Sequence, residues 1–503
     1  IIPRASPGLI SYCSGAVSTP MTGAARRPPL RLLTNPGFGR GFLIHWVMLK
    51  RPAPEQTALE MVTLDQLVPK DHLLRKIDRA IDFSFIHDLT APLYCADNGR
   101  PPLDPTLMFK ALFVGYLFGV RSERQLVREI EVNVAYRWFL RLKLTDTVFD
   151  ASTLSQNRRR RYQDATIAQG IFDRIVEQAI RAGLVDGTVL YTDSTHLKAN
   201  ANKAKFDLAM AAKSRADYWD DLDAAIEEDR AAHGKKPLKE KERQPPEKET
   251  KVSRTDPDSG YMVRDGKPKG FFYLDHRTVD AAHAIITDSF ATPANVHDSI
   301  VYLGRLDRQR TRFGFDVGAV GLDAGYATPG IARGLEQRDV RGVTGYRNPT
   351  PPRPGMMRKS AFAYEPEADA YRCPQGQLLA YATTDRTGYR HYRSDPDICR
   401  DCPLLASCTT SANATRLITR HVWQDARERN DANRHTAWGK AIYRRRKETV
   451  ERSFADAKQL HGHRYARFRS LARVRVQCLL AAAAQNIKKI ALCLSPKPKP
   501  AFA

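Results

Sequence analysis

The sequence predicts an α/β fold, and three features carry that reading. Hydrophobic residues make up 42% of the 503, enough for a sizeable buried core. From about Leu67 to Tyr162 apolar residues recur with a helical period, whereas from Thr188 onward short β-rich runs alternate with helical stretches. The chain is also strongly basic, with 80 Lys and Arg against 56 Asp and Glu, a formal charge of +24. Such an excess repels itself unless a polyanion is present, and nucleic acid or an anionic membrane surface would supply one. The longest nearly unbroken apolar stretch, Ala111 to Val120, has ten residues. A membrane span needs about 20, so an integral membrane protein is excluded.

Residues 1–47 hold five arginines and no acid, with many Pro, Gly and Ser. An Arg-rich, acid-poor targeting peptide has this composition; our expectation is a non-native or disordered leader, with the true start at Met48. Residues 48–165 read as an all-α, DNA-binding domain. Pro105 suits a first helical turn, Gly119 closes that helix, and Ser122 with Gln125 makes a capping box for the next. Two helices around a short Gly-containing turn suit a helix-turn-helix, and equally any helical bundle. Arg158, Arg159, Arg160 and Arg161 form a basic run, read as a phosphate clamp against the alternative of a solvated helix face.

The part from 180 to 346 changes grammar. Val189 to Ser194 is a β-rich run, and an insertion of about 204–270 separates it from the later strands. Residues 211–270 hold 14 basic and 14 acidic side chains, which reads as solvated, with a helix at Tyr218–Ala232 and flexible remainder. Strands resume at Phe271–Val279 and Ala284–Phe290, with Asp298 and Ser299 as the cap of a helix to about Arg310. Val317–Leu322 is a further strand, Thr328-Pro329 starts a short helix, and Val340–Tyr346 is a fifth strand. Residues 347–440 form a Cys-rich second insertion, 441–495 a helical part, and 496–503 a frayed tail. The order strand, strand, strand, helix, strand, helix, strand, helix is that of an RNase H-like core with two insertions.

Two acids lie in or at the ends of apolar strands, Asp193 and Asp323. An isolated carboxylate there is costly unless paired or metal-bound. The strand order makes these two neighbours, and a divalent cation is the simplest relief for their repulsion. Hard oxygen ligands suit Mg²⁺ or Mn²⁺. A third acid is expected from the closing helix. Glu451 borders the apolar stripe of Val450, Phe454 and Ala457, and Glu448 is the lesser candidate. Lys458 lies seven residues on, about 10.5 Å along the same face.

The segments Tyr191 to His196, Gly321 to Tyr326 and Val450 to Phe454 resemble the three blocks of a bacterial insertion-sequence transposase of the DDE class. The resemblance is to the subgroup with a Cys-rich insertion before the catalytic Glu. Gly99 to Phe139 is similar to that subgroup's amino-terminal helical domain, and Ala291 to Asp298 to another of its blocks. The family signature Tyr, two residues, Arg, three residues, Glu, six residues, Lys is met at Glu451 and Lys458. Lys447 stands where Arg is expected, and Tyr443 falls one place early.

The resemblance implies a cytoplasmic, nucleoid-associated bacterial enzyme acting on the terminal inverted repeats of its element and on target DNA, as a homo-oligomer. Asp193, Asp323 and Glu451 would hold two Mg²⁺ or Mn²⁺ ions about 3.5–4 Å apart. They would serve attack by water, then by a 3′-hydroxyl, on a phosphodiester, without a covalent protein–DNA intermediate. Lys458 would grip a phosphate near the scissile bond, with help from Lys447. The alternatives are a nuclease of the same fold without strand transfer, and a non-catalytic DNA-binding protein derived from a transposase.

Cys373, Cys399, Cys402 and Cys408 fall in one segment of a chain with eight cysteines, the others scattered. That pattern fits a reducing compartment rather than a disulfide framework. Four thiolates suit tetrahedral structural zinc, against the alternative of free thiols. His196, Asn200, Asn202, Asn295 and Asp298 read as structural polar residues near the strand blocks.

Overall fold

The computed structural model describes residues 59–95, 102–163, 165–212, 218–239, 247–263, 268–346 and 353–496. The expected leader and most of the expected tail lie outside these. From Val62 onward they belong to one compact unit.

Short helices at Leu64–Leu67, Leu73–Ala80 and Phe85–Thr90 precede α1 (Pro105–Leu117) and α2 (Glu123–Val132). Asp104 caps α1 by accepting from the Thr106 and Leu107 N–H groups, and Pro105 sits where no donor is needed. Ser122 caps α2 through the Gln125 N–H. Gly119 between them has φ +69°, and a Cβ there would lie 2.9 Å from the Leu460 carbonyl oxygen. The turn is therefore seated against the carboxyl-terminal part of the chain, where only glycine fits. α1 is buried almost all round, as a core helix is. Helix Val134–Leu140, α3 (Ala151–Arg160) and α4 (Thr166–Arg181) complete this part.

β1 (Val189–Lys198) opens the sheet, and α5 (Trp219–Ala232) lies in the first insertion. Then come β2 (Gly270–Asp280), β3 (Ile286–Pro293), α6 (Asp298–Phe313), β4 (Ala319–Leu322), α7 (Pro329–Glu336) and β5 (Arg341–Thr344). The strand order is β3–β2–β1–β4–β5, with Gly260–Met262 adding to one end of β2. β2 is antiparallel to both neighbours, and β1, β4 and β5 are parallel. The second insertion carries its own antiparallel sheet of five strands between Ala363 and His421.

Three expectations are corrected. The first insertion is more regular than expected: outside its helix it is largely exposed but forms strands, and the helix itself is partly buried. Phe206–Ala212 pairs with Glu247–Ser253 as a hairpin, and α5 buries Asp229 and Arg230 against the second insertion. There Asp229 pairs with Arg390 at 2.5 Å, and the Arg230 guanidinium donates to the Thr384 carbonyl at 2.8 Å. The cap of α6 is His297, whose Nδ1 accepts from the Ser299 N–H, and Asp298 is the first helical residue. The carboxyl-terminal helical stretch is three helices, α8 (Ala437–Arg445), α9 (Val450–Leu460) and α10 (Leu471–Leu494).

α10 is buried through its middle, with Ala481 to Ala484 at 0% exposure. It packs on β3 and also on α1, α4 and helix Leu73–Ala80. One apolar cluster therefore runs from Val68 through the helices into Leu190, Val320 and Leu322 of the sheet. No helix among the described residues is long and apolar enough to cross a membrane.

Beneath α9 and α10 lies a buried charge network. The Arg277 guanidinium, 0% exposed, donates to Asp275 at 2.8 Å and to Gln485 of α10 at 2.7 Å. Asp275 also bonds His463 at 2.9 Å and accepts from Ser289 at 3.0 Å. Asp275, His463 and Cys478 lie close enough to share a metal ion, but the Arg277 cation already neutralises the carboxylate. Burial pushes the Asp275 carboxyl up, and the Arg277 charge and His463 hydrogen bond more than offset it, leaving it below the usual carboxylate range. A depressed folded value means stability present above the unfolded value near 4 and lost as pH falls below it. Asp275→Asn should cost about 3–5 kcal/mol at pH 7 by leaving Arg277 buried and unpaired. In urea unfolding of the full chain, the gap to wild type should narrow between pH 7 and pH 3; a constant gap would contradict this account.

Candidate active site

β1 is flanked unevenly. Pairing with β2 runs from Leu190 to Lys198, but pairing with β4 ends at Thr192 opposite Leu322. Asp193 is thus the first residue of β1 beyond the end of β4, and Asp323 is the first residue after β4. The parallel register puts the two carboxylates on adjacent strand ends, as the strand reading required. The far end of the exposed edge is closed by the chain after α9, where Lys198 N–H donates to Arg464 and Ala466 N–H to Lys198. The open edge between is Asp193 to Leu197, about 16 Å of strand.

The Asp193 side chain is 18% exposed and its Oδ2 accepts from Arg446 Nη2 at 2.7 Å. Burial raises the Asp193 carboxyl to about 6, with Arg446 opposing, and Asp323 and Asp298 adding repulsion. Asp323 Oδ1 accepts from the Gly325 N–H at 2.7 Å. The Tyr326 hydroxyl is buried without a hydrogen-bond partner and is pushed up by burial, then by Asp298, Asp193 and Asp323. Three carboxylates therefore converge near one phenol. A desolvated acid group with a single guanidinium for counter-charge suits hard divalent cations.

α9 borders this edge. Its buried face is Val450, Ser453, Phe454 and Ala457. Lys458 donates to Thr195, two residues beyond Asp193 on the same face of the strand. Glu451 stands in the first turn of α9 and is exposed. Among the described residues, no hydrogen bond or ion pair holds its carboxylate. Glu448 and Lys447 are also exposed.

Sequence reasoning missed Arg446 as the partner of Asp193. It is 3% exposed, next to the Tyr443 ring, and Lys447 faces solvent. The signal was the spacing Tyr443, two residues, Arg446, visible when counting from the tyrosine rather than back from Glu451. The mismatch of one residue is taken up between α8 and α9, where Glu451 N–H bonds the Arg446 carbonyl, a wide i→i+5 turn. Asp298 and Tyr326 were missed as well, since Asp298 looks like a helix cap.

The four-arginine run divides. Arg158 bonds Glu123 at 3.1 Å and lies over the Phe468 ring, and Arg161 bonds Asn157 and lies over Tyr94. Arg159 and Arg160 are exposed. Cys373, Cys399, Cys402 and Cys408 line one cavity of about 30 Å³ in the second insertion, among Met357, Phe362 and Leu379. Among the described residues, no three of their sulfurs lie within 4.8 Å of one another.

The repulsion that Asp323 adds to Asp193 is a stability cost. A folded value raised above the unfolded one means stability lost as pH rises through about 6. Asp323→Asn keeps an acceptor for Gly325 and removes that repulsion. In chelator at pH 8 it should stabilise the full chain by about 1 kcal/mol in denaturant unfolding. The gain should vanish by pH 4.5, and a gain that persists there would argue against charge repulsion as its source.

Comparison with known families gives two matches. A family described as a transposase domain matches residues 62–160, and one described as a transposase DDE domain matches residues 372–491. The second spans Glu451 and all four clustered cysteines, and neither reaches Asp193 or Asp323. No curated relative matches. Among solved structures, a piggyBac transposase synaptic complex with hairpin DNA is similar at 11% identity and a TM-score of 0.30. That match covers 84% of this chain and 77% of the other, and it is too loose for positions to be carried across.

Proposed function

The chain carries a transposase domain and a transposase DDE domain and is a DDE transposase, and from that premise we propose metal-dependent cleavage and strand transfer at the terminal inverted repeats of an insertion sequence. We read the sheet order β3–β2–β1–β4–β5, with α9 and α10 on one face, as an RNase H-like core. The observation that carries the reading is the placement of Asp193 and Asp323 on adjacent parallel strand ends, where β1 loses its neighbour.

Asp193, Asp323 and Glu451 would hold two Mg²⁺ or Mn²⁺ ions. The desolvated carboxyl of Asp193, with the negative charge of Asp323 and Asp298 around it, fits such a group. When bound, these ions supply Lewis-acid activation of the attacking hydroxyl and neutralise charge on the leaving oxygen. Arg446 fixes the orientation of Asp193 through its 2.7 Å bond. Lys458, beside Thr195, offers its ammonium to a phosphate along the open edge. Glu451 is favoured over Glu448 by position. Glu451 shares the face of Lys458 two turns away. The exposed Arg159 and Arg160 would serve the DNA backbone.

The test uses the full chain with supercoiled plasmid carrying the element's ends, in Mg²⁺ or Mn²⁺. Asp193→Asn and Glu451→Gln should each reduce end cleavage at least about a hundredfold while DNA binding is retained. Equal cleavage by wild type and Glu451→Gln would remove Glu451 from the chemistry. Cleavage without products joined to a target would leave a nuclease.

The cysteine cavity supports a structural zinc site. The Cys408 thiol is raised by burial and, against Arg416, by Cys399, Cys402 and Cys373. Zinc–sulfur bonds of about 2.3 Å set tetrahedral sulfurs about 3.8 Å apart, so the thiols would draw in on binding. Such a closed site would brace the connection between the strands Tyr389–Arg393 and Leu417–His421. Elemental analysis of the purified chain should give about one zinc, lost in Cys402→Ser. Absence of zinc, or two disulfides by mass, would reject this site.

A further inference from the structure

Asp298 has surroundings that an ordinary first-turn acid lacks. A helix amino terminus favours negative charge there, and capping explains most such acids. In α6 the cap is His297, which accepts from the Ser299 N–H at 3.3 Å. Asp298 is only 9% exposed, and its Oδ1 is buried without a hydrogen-bond partner. The nearest cationic candidate is His276 Nδ1, 3.6 Å away and itself buried without a partner. That separation is too long for a hydrogen bond. Burial moreover lowers the His276 imidazole, with Asp298 opposing, which disfavours its charged form.

On its other side Asp298 faces the centre already described. The point where a Cβ of Gly325 would stand is 3.0 Å from Asp323 Oδ1 and 3.7 Å from Asp298 Oδ2. The two carboxylates thus flank one spot that glycine leaves clear. Buried carboxylates without partners are rare and costly. Here only Asp298 has such an oxygen, but the three carboxylates around one spot share a single guanidinium, that of Arg446, and their mutual repulsion is relieved by a cation rather than by further hydrogen bonds.

We propose that Asp298 is a further carboxylate of the catalytic centre and binds a divalent cation together with Asp193 and Asp323. This rests on the reading of that centre as a divalent-cation site, and it assigns the cation an anchor on the helix after β3.

The test is Mn²⁺ titration of the full chain without DNA, read by electron paramagnetic resonance, on wild type, Asp193→Asn and Asp298→Asn. Both variants should weaken Mn²⁺ binding by about tenfold or more, with far-ultraviolet dichroism unchanged. If Asp193→Asn weakens binding and Asp298→Asn does not, Asp298 is overturned and the centre stands. If neither weakens it, the centre fails and Asp298 with it. Iron-mediated backbone cleavage of the unaltered chain checks the same point without any variant. Fe²⁺ in the site, with ascorbate and peroxide, should cut near Asp193, Asp323 and His297–Asp298. Cuts at the first two alone would overturn the proposal.

Discussion

The arrangement depends on burying one helix from several sides. α10 offers four consecutive alanines at 0% exposure, and their small side chains let β3 approach along one side and α1 and α4 along the others. Larger residues there would overpack both contacts at once. Because α10 serves both, the amino-terminal helices and the sheet share one apolar core instead of forming separate bodies. The same helices also hold the end of α9. The Gly119 turn meets Leu460, His461 Nδ1 bonds the Tyr116 carbonyl at 2.9 Å, and Arg467 lies over the Tyr116 ring. The position of the helix carrying Glu451 and Lys458 is therefore set partly by residues more than 300 places earlier.

Two groups of charge sit side by side on one face of the sheet, and the protein treats them oppositely. The register pairs Asp193 with Arg277 and Thr195 with Asp275 across β1 and β2. Asp275 receives a guanidinium, an imidazole and a hydroxyl, and its charge is neutralised within the fold. Asp193, one pair further along, receives a guanidinium but also the repulsion of two other acids. The first arrangement keeps the helices on the sheet. The second retains uncompensated negative charge at an open strand edge, which lowers stability in the absence of a cation and suits its binding.

Much of this was legible in the sequence. Acids inside apolar runs identified Asp193 and Asp323, because a carboxylate in a buried strand calls for a reason. The alternation of strand and helix gave the order of the elements. What was not legible depends on distant contacts. α5 reads as a charged, solvated helix because its partners Thr384 and Arg390 lie more than 150 residues away. The hairpin of Phe206–Ala212 with Glu247–Ser253 has ends too far apart for local turn chemistry to reveal. Asp298 follows the pattern of a helix-capping acid, and only the burial of its Oδ1 separates it from one. The four cysteines were legible as a group, but not the distances between their sulfurs.

The position of Arg446 shows why counting along a helix failed at one residue. In a regular helix each residue turns by about 100°, so residues four apart are about 40° apart in direction and residues five apart about 140°. Five separate Arg446 from Glu451, which would turn them to different faces if the helix ran on unbroken. It does not. The Glu451 N–H reaches back to the Arg446 carbonyl, and an i→i+5 turn spreads the extra residue over one wider loop. Arg446 can then reach Asp193 while Glu451 keeps its place on the face of Lys458. The extra residue is absorbed at the join of α8 and α9, so the spacing that departs from the family signature still leaves Arg446 directed at Asp193 and Glu451 on the face of Lys458.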